Sequence, residues 1–291
     1  MASDHRRPKE KICASCGRRF VCGPQDGRAS CWCEDLPHAL PFTGDDCACP
    51  DCARAQIERL AKAREEKLAG REGVALFWSG GKDGALALDR LAAGGRYRVA
   101  ALVTSVVEGE DRVGMHGVRT ELIRAQALRL GLPLRLMPIA RDCPDSLYEK
   151  RLGECLEELR AEGVRTAAFG DIFLEDLRRW RDERLAKAGF LGLYPLWGQD
   201  TAALAREFVS RRFRAVLSCV DTRALDASFA GRELDEKLLR ELPASADPCG
   251  ERGEYHTLVY AGPIFPRPLR VRLGGAFARD GRFQYRDIVP A

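Results

Sequence analysis

From Gly73 onward the chain alternates short apolar runs with longer stretches whose apolar residues recur at helical spacing. Runs at 74–79, 98–105, 134–138, 165–170, 192–197 and 214–220 predict strands, and the segments near 84–93, 117–130, 145–161, 173–188 and 200–210 predict the helices between them. This alternation predicts an α/β unit over 73–220 with a mostly parallel sheet, rather than a bundle or an antiparallel barrel. Gly94-Gly95, Gly131 with Pro133, and Gly163 punctuate the returns into the sheet. After AVLSCV the pattern changes. Residues 225–242 read as helical, and GEYHTLVYAGPIF, LRVRL and FQYRDIV read as antiparallel strands, so 221–291 is expected to form a smaller α+β lobe. Upstream, 53–72 reads as a charged helix, its 57–72 portion linking an N-terminal module (1–56) to the main unit.

Composition narrows the class without naming a partner. The 291 residues have an ordinary apolar fraction of 45% and a formal charge of only +4, which gives no case for a nucleic-acid binder. The opening MASDHRRPKEK is polar, and no segment has the length and continuous apolarity of a membrane span, so a cytoplasmic protein with no membrane partner is expected.

Cysteine is unevenly spread. Eight of the twelve, at 13, 16, 22, 31, 33, 47, 49 and 52, precede Ala53. Their CxxC and CxC spacings favour thiolate metal ligands over disulfides, and four ligands per ion predict about two structural Zn2+ ions. Redox, iron–sulfur and disulfide readings of the same residues stay open. Trp32 and Phe42 are expected to cover a small metal-supported core, and His38 could replace one thiolate. The segment resembles the small family named for its CWC signature, here Cys31-Trp32-Cys33, with Cys13-x-x-Cys16 before it and Cys47-x-Cys49-x-x-Cys52 after it. That resemblance implies a compact metal-binding module.

The candidate chemistry centres on FWSGGKDGALAL. An apolar strand enters a Gly-rich turn and then a helix, which places free backbone N–H groups where an anion can bind. Gly80 and Gly81 allow close approach, Ser79 offers a hydroxyl, Lys82 a positive charge, and Asp83 a cap or a partner for metal-bound water. A Walker loop is a poor match, because its first glycine would fall on Leu76 and Asp83 stands where it needs a hydroxyl, so a pyrophosphate-binding loop is preferred. The bland alternative is a Gly-rich turn with a solvated lysine.

SGGKDG is similar to the SGGKDS-type pyrophosphate loop of the adenine-nucleotide alpha-hydrolase-like (HUP) superfamily, whose fold is Rossmann-like. More closely, 73–265 resembles the diphthine–ammonia ligase family and its bacterial relatives through Ser79 to Gly84, Met115-His116-Gly117-Val118, Gly170-Asp171-Ile172, Tyr194-Pro195-Leu196-Trp197 and Cys249-Gly250-Glu251-Arg252-Gly253-Glu254-Tyr255-His256-Thr257. The resemblance implies an ATP- and Mg2+-dependent ligase that adenylates a carboxylate acceptor, releases pyrophosphate and admits ammonia. It further implies nucleotide-binding roles for Ser79, Gly80, Gly81, Lys82, Asp83, Gly84, His116, Gly170 and Asp171, and a charge-neutralising role for Arg178. Glu251 and Glu254 would bind magnesium or prepare ammonia, with His256 orienting an acid–base partner.

Each of these has a structural alternative: a capping histidine at 116, a solvated Arg178, a salt-linked hairpin at 251–256. Gly84 departs from the family pattern, which has serine there. Gly84→Ser is expected to be tolerated and to raise turnover by restoring that hydroxyl, unless Gly84 sits at positive φ or leaves space the substrate needs. Two other functions remain open. Cys143, Cys219 and Cys249 would suit an adenylating RNA- or sulfur-transfer enzyme, and the glycine at 84 would suit a noncatalytic ATP-binding regulator.

Overall fold

The computed structural model describes residues 9–23, 32–36 and 47–291. The chain divides into two compact units, one built on residues up to Gly70 and one on Arg71–Ala127 with Leu132–Ala291.

In the first unit, β1 (Lys9–Ile12) and β2 (Arg19–Cys22) form an antiparallel hairpin, and α1 runs from Pro50 to Leu68. The helix begins earlier than its charge pattern suggests, because Pro50 occupies its first turn, where a missing N–H costs nothing. Cys13, Ala48, Cys49 and Ala53 form the small core, and Phe20, Trp32 and Leu36 pack against it. Trp32 thus covers the core as expected. His38, Phe42 and Cys31 lie outside the described residues.

The second unit contains two sheets. The first is built from β3 (Glu72–Phe77), β4 (Tyr97–Val107), β5 (Arg112–Val113), β6 (Leu134–Ile139), β7 (Thr166–Ala168) and β8 (Leu191–Leu193). Its order is β5-β4-β3-β7-β8, with β6 also on β4; all pairings are parallel except the short return of β5. The connecting helices are α2 (Lys82–Ala93), α3 (Thr120–Leu130), α4 (Asp145–Ala161) and α5 (Glu175–Lys187). Leu152, Leu156 and Leu159 of α4 and Leu185 of α5 pack with Ala75, Val103 and Ala167 of the sheet. Val74 and Leu76 are fully buried as well, so β3 is covered on both faces, which accounts for its continuous apolar run.

After β8 come α6 (Thr201–Ser210), β9 (Arg214–Asp221), α7 (Glu236–Glu241), β10 (Tyr255–Ala261), β11 (Val271–Arg279) and β12 (Phe283–Pro290). Here the sequence expectation needs correcting. The run at 214–220 is a strand, but β9 belongs to a second, antiparallel sheet of order β10-β9-β12-β11. Overall the sheet system is therefore mixed. Burial on both faces gave β9 the same continuous apolar pattern as a parallel strand, and that pattern is blind to strand direction. The 225–242 helix is also shorter than expected. Gly231, at φ +92°, breaks it, and Glu233 bridges back to Val216. Among the described residues, no helix is long and apolar enough to cross a membrane.

Candidate functional site

The Gly-rich loop is fixed from several directions. Where β3 ends, Trp78 N–H donates to Val103 O at 2.7 Å, and the Trp78 indole donates to Gln126 Oε1 at 2.8 Å. Gln126, fully buried on α3, also donates through Nε2 to Gly80 O at 3.1 Å and Val259 O at 2.6 Å. Gly80 takes φ +82°, and a side chain there would collide with Ile123 and Gln126, so glycine is required on both counts. Gly81 is the N-cap of α2 and has no capping side chain. Thr257 supplies the missing oxygen from β10, its Oγ1 accepting from Lys82 N–H at 3.0 Å. Val259 N–H donates to Gly80 O at 2.9 Å, completing the tie between loop and β10. The remaining first-turn amides of α2 have no partner within the helix, which is the physical basis of an anion site.

Lys82 is buried, with Nζ 2.7 Å from Asp83 Oδ2 and 5.2 Å from the centre of the Tyr255 ring. Burial opposes its charge, but Asp83 and the Tyr255 ring outweigh that and hold the ammonium protonated. Asp83 itself is pushed above the usual carboxylate range by burial, against the pull of Lys82. Its Oδ1 is buried without a hydrogen-bond partner. An orphaned carboxylate oxygen beside a buried ammonium and a helix N-terminus fits a magnesium–phosphate ligand.

Gly170-Asp171-Ile172 meets this loop directly. A Cβ on Gly170 would lie 2.8 Å from the Asp83 carbonyl carbon and 3.0 Å from Gly84 N, so only glycine permits the contact. Asp171 pairs with Arg181, whose guanidinium lies 4.4 Å from the Phe169 ring centre. Arg178, the arginine singled out in the sequence, is placed differently. Its guanidinium lies over Tyr194 and Trp197, at 4.7 and 4.5 Å, and 3.5 Å from Asp182. The Tyr194–Trp197 motif is therefore a stacking platform for Arg178.

The segment 247–257 closes the cluster. Asp247 organises it, accepting from Cys249 N–H and Glu251 N–H with Oδ1 and from the Thr201 hydroxyl with Oδ2. Glu254 uses both carboxylate oxygens within the turn, on Asp247 N–H at 2.9 Å and Arg252 N–H at 3.0 Å. Glu251 points outward from that turn, and its Oε1 accepts from Ile172 N–H at 2.7 Å. Burial raises its carboxyl to about 7, the Ile172 hydrogen bond resisting and the Asp83 charge assisting. The His256 ring lies against His116, ring centres 4.4 Å apart and planes tilted by 38°. His116 Nδ1 and His256 Nε2 are buried without partners. Burial lowers His116 to about 4 and His256 well below its ordinary value, so both rings are neutral near pH 7. Cys249 donates to Thr201 O at 3.2 Å, and burial pushes its thiol up to about 12.

Sequence reasoning missed Gln126, Asp247 and Arg181, and it gave no role to Trp78 or Thr257, although both stand in stretches it singled out. Of the three missed outright, Gln126 left a readable signal: an amide on the face of α3 shared with Ile123.

In the first unit, Cys13, Cys16, Cys49 and Cys52 bring their sulfurs within 4.8 Å of one another. Cys13 and Cys16 flank a turn after β1, while Cys49 caps α1 and Cys52 lies in its first turn. Cys49 N–H donates to Cys13 Sγ at 3.2 Å and is the main reason that thiol falls to about 6. Cys52 rises to about 12 through hydrogen bonds with Cys16 and Cys49. Four sulfurs competing for one negative charge are a donor set suited to a structural zinc ion. Of the other expected ligands, Cys22 and Cys47 lie 3.8 Å apart and Cys33 sits in the helical turn Trp32–Asp35, all outside that four-sulfur group.

No curated protein sequence matches the chain. Among solved structures, a predicted subunit of tRNA methyltransferase from Methanocaldococcus jannaschii matches at 18% identity and a TM-score of 0.31, over 58% of this chain and 87% of that one. Two family models match in order, the diphthamide synthase N-terminal domain over 72–191 and the diphthamide synthase C-terminal domain over 200–284. The first contains the Gly-rich loop, His116 and Gly170-Asp171; the second contains Asp247, Glu251 and Thr257. With both halves of that site matched in their proper order, the chain belongs to the diphthamide synthase family.

Proposed function

We propose that the protein is an ATP-dependent, AMP-forming ligase that activates a carboxylate and transfers ammonia to it. The observation that carries this reading is the convergence of three segments distant in sequence, 79–84, 170–172 and 247–257, on Lys82, Asp83 and Glu251. ATP supplies the adenylyl group that turns a carboxylate oxygen into a leaving group, and magnesium supplies positive charge to the phosphates. Lys82 and the α2 amides would hold the departing pyrophosphate. Asp83 Oδ1, with Asp171 nearby, would hold the metal. Gly170 keeps the loop surface open to the nucleotide. When ammonia forms the new C–N bond and the C–O bond to AMP breaks, a surplus proton must leave the nitrogen. Glu251, raised to about 7, is matched to accept it near neutral pH. The neutral His116–His256 pair would orient the nucleotide or the acceptor by hydrogen bonding, without adding charge.

Two of the three thiols that would suit sulfur transfer, Cys219 and Cys249, disfavour it. Burial holds Cys219 and Cys249 near 12 and Cys155 near 11, and a protonated buried thiol is a poor nucleophile. We read the Cys13–Cys16–Cys49–Cys52 group as a zinc site and Cys22, Cys31, Cys33 and Cys47 as ligands of a second ion. Thiolate ligation of this kind suits a reducing, cytoplasmic setting.

The test is a mass-spectrometric search for an ATP-dependent product among proteins, RNA and small carboxylic acids, with elongation factor 2 carrying diphthine as one defined acceptor. An amide formed together with AMP and pyrophosphate is the expected result. Lys82→Ala should lower pyrophosphate exchange into ATP by at least about 100-fold, the scale of a lost oxyanion-type contact. ATP binding without turnover on any acceptor would instead make the protein a regulator.

A further inference from the structure

His116 sits at the tip of the segment that runs from β4 through β5 to α3, and side chains of β12 brace that tip from outside its own backbone hydrogen bonds. Its two legs meet at the bridge between Arg112 and Arg119, with Val113 N–H donating to Val118 O at 2.8 Å and Thr120 N–H to Asp111 O at 2.9 Å, and Gly117 N–H turns back onto Val113 O at 2.9 Å. The tip between them, Gly114-Met115-His116-Gly117, is gripped from β12. Asp287 Oδ1 accepts from Arg112 Nη1 at 3.0 Å and from Arg119 Nε at 3.0 Å, and Oδ2 accepts from Arg119 Nη2 at 2.7 Å. One carboxylate thus clamps both legs, bidentate on one of them. The same Arg112 nitrogen donates to Gly117 O at 2.7 Å, which carries the clamp to the residue after His116.

Tyr285, two residues earlier on the same strand face, completes the grip. Its ring presses on Gly117 so closely that a Cβ there would lie 2.4 Å from it, and Gly117 takes φ +63°. The Tyr285 hydroxyl donates to Met115 O at 3.4 Å. At the base of the loop, Glu110 pairs with Arg279 of β11 at 2.8 Å and with Arg141 at 2.5 Å. What this machinery presents is one imidazole. His116 lies tilted against His256, and its Cε1 lies 3.2 Å from where a Cβ on Gly81 would be.

We propose that Asp287 is a positioning residue: by locking Arg112 and Arg119 it holds His116 against the Gly-rich loop, so that the C-terminal strand sets the geometry of the site from outside it. The contribution of His116 to catalysis rests on the ligase reading above, whereas its placement by Asp287 does not. Asp287 touches neither His116 nor the Gly-rich loop, and every step of its influence passes through the two arginines and Gly117. The charge is essential, because a neutral amide cannot compensate two guanidinium groups of which Arg112 is mostly buried.

The experiment uses the full chain with Asp287→Asn and Asp287→Glu, and follows the His116 imidazole by nitrogen-15 NMR as a function of pH. Lys82, His256 and the Thr257 carbonyl are the groups that face this ring, and none is altered by either variant. In the wild type His116 should titrate near 4, and in Asp287→Asn it should move toward the ordinary 6.5 as the tip leaves its buried position. Asp287→Glu should keep most of the low value, which a purely electrostatic change elsewhere in the lobe would not reproduce. Pyrophosphate exchange gives the second reading. Asp287→Asn should lose on the order of tenfold in the wild-type background and nothing further in His116→Ala.

A folded Asp287→Asn whose His116 titrates as in the wild type overturns the proposal, as does an equal loss in the His116→Ala background. Should Asp287→Asn not fold, Arg119→Lys, which keeps the charge but gives up the bidentate contact, takes its place with the same two criteria. A wild type that exchanges no pyrophosphate would sink the ligase reading alone, because the NMR titration still decides where Asp287 holds His116.

Discussion

At the residue scale, the two glutamates of GERGEYHT differ only in their partners, and that difference separates their roles. Glu254 has spent both oxygens on backbone amides of its own turn, whereas Glu251 holds one amide and faces Asp83 and Asp171 across the site. Glu251 has an ordinary pKa of 4.5 and about 7 when folded. Between those values the folded chain binds the extra proton, so the residue's contribution to stability is present below 4.5 and is lost as pH rises through 7. Glu251→Gln, which cannot ionise, should match the wild type in acid and become progressively more stable than it between pH 4.5 and 7, with a constant advantage above. Ligation should fall at the same time. A thermal-denaturation series against pH, paired with an amidation assay, reads both. A Gln variant less stable than the wild type at pH 8 would show that the charged form is structurally favoured and would remove Glu251 as the base.

At the element scale, α2 shows what was legible and what was not. The strand–loop–helix order around SGGKDG could be read from apolar runs and paired glycines, because those signals are local. The groups that hold the loop could not: Thr257 caps α2 from 175 positions away, and the Trp78–Gln126–Val259 chain crosses three elements. The meaning of Gly84 was equally hidden. Gly84 is helical and not at positive φ, so the backbone would accept serine. The obstacle is Trp78, whose Cε3 lies 3.3 Å from where a Cβ would stand and whose indole is pinned by Gln126. Glycine at 84 is thus the steric complement of tryptophan at 78. Gly84→Ser should therefore destabilise by about 1 kcal/mol despite the better helix propensity of serine. Trp78→Phe, which removes the crowding ring edge, should abolish most of that cost. Urea unfolding of the two single variants and the double variant gives the coupling, and additivity to within about 0.3–0.5 kcal/mol would show that the two positions are independent.

At the scale of the whole molecule, each unit keeps its own source of stability. The second unit has two sheets and an apolar core that includes Leu76, Leu122, Leu156 and Phe208, all fully buried. In the first, the small core is half cysteine, and β1, β2 and the start of α1 are joined chiefly at the four-sulfur group. A core that small does not outweigh chain entropy without a staple, and metal binding supplies one. Removal of zinc from the full chain by a strong chelator should therefore abolish amide-exchange protection in 9–23 and 47–68 while leaving 72–291 protected and ATP affinity unchanged. About two equivalents of zinc should be present at the start, as expected for eight thiolates. Cys49→Ser should remove one of them and unfold the first unit, because it takes away a ligand, even though serine is the better N-cap for α1, where Cys49 makes no side-chain capping bond. Cys22→Ser should remove the other and leave the Cys13–Cys16–Cys49–Cys52 ion in place. If chelation melts both units together, or if Cys49→Ser retains full metal content, the four-sulfur group is not the staple and the first unit must be held by contacts of another kind.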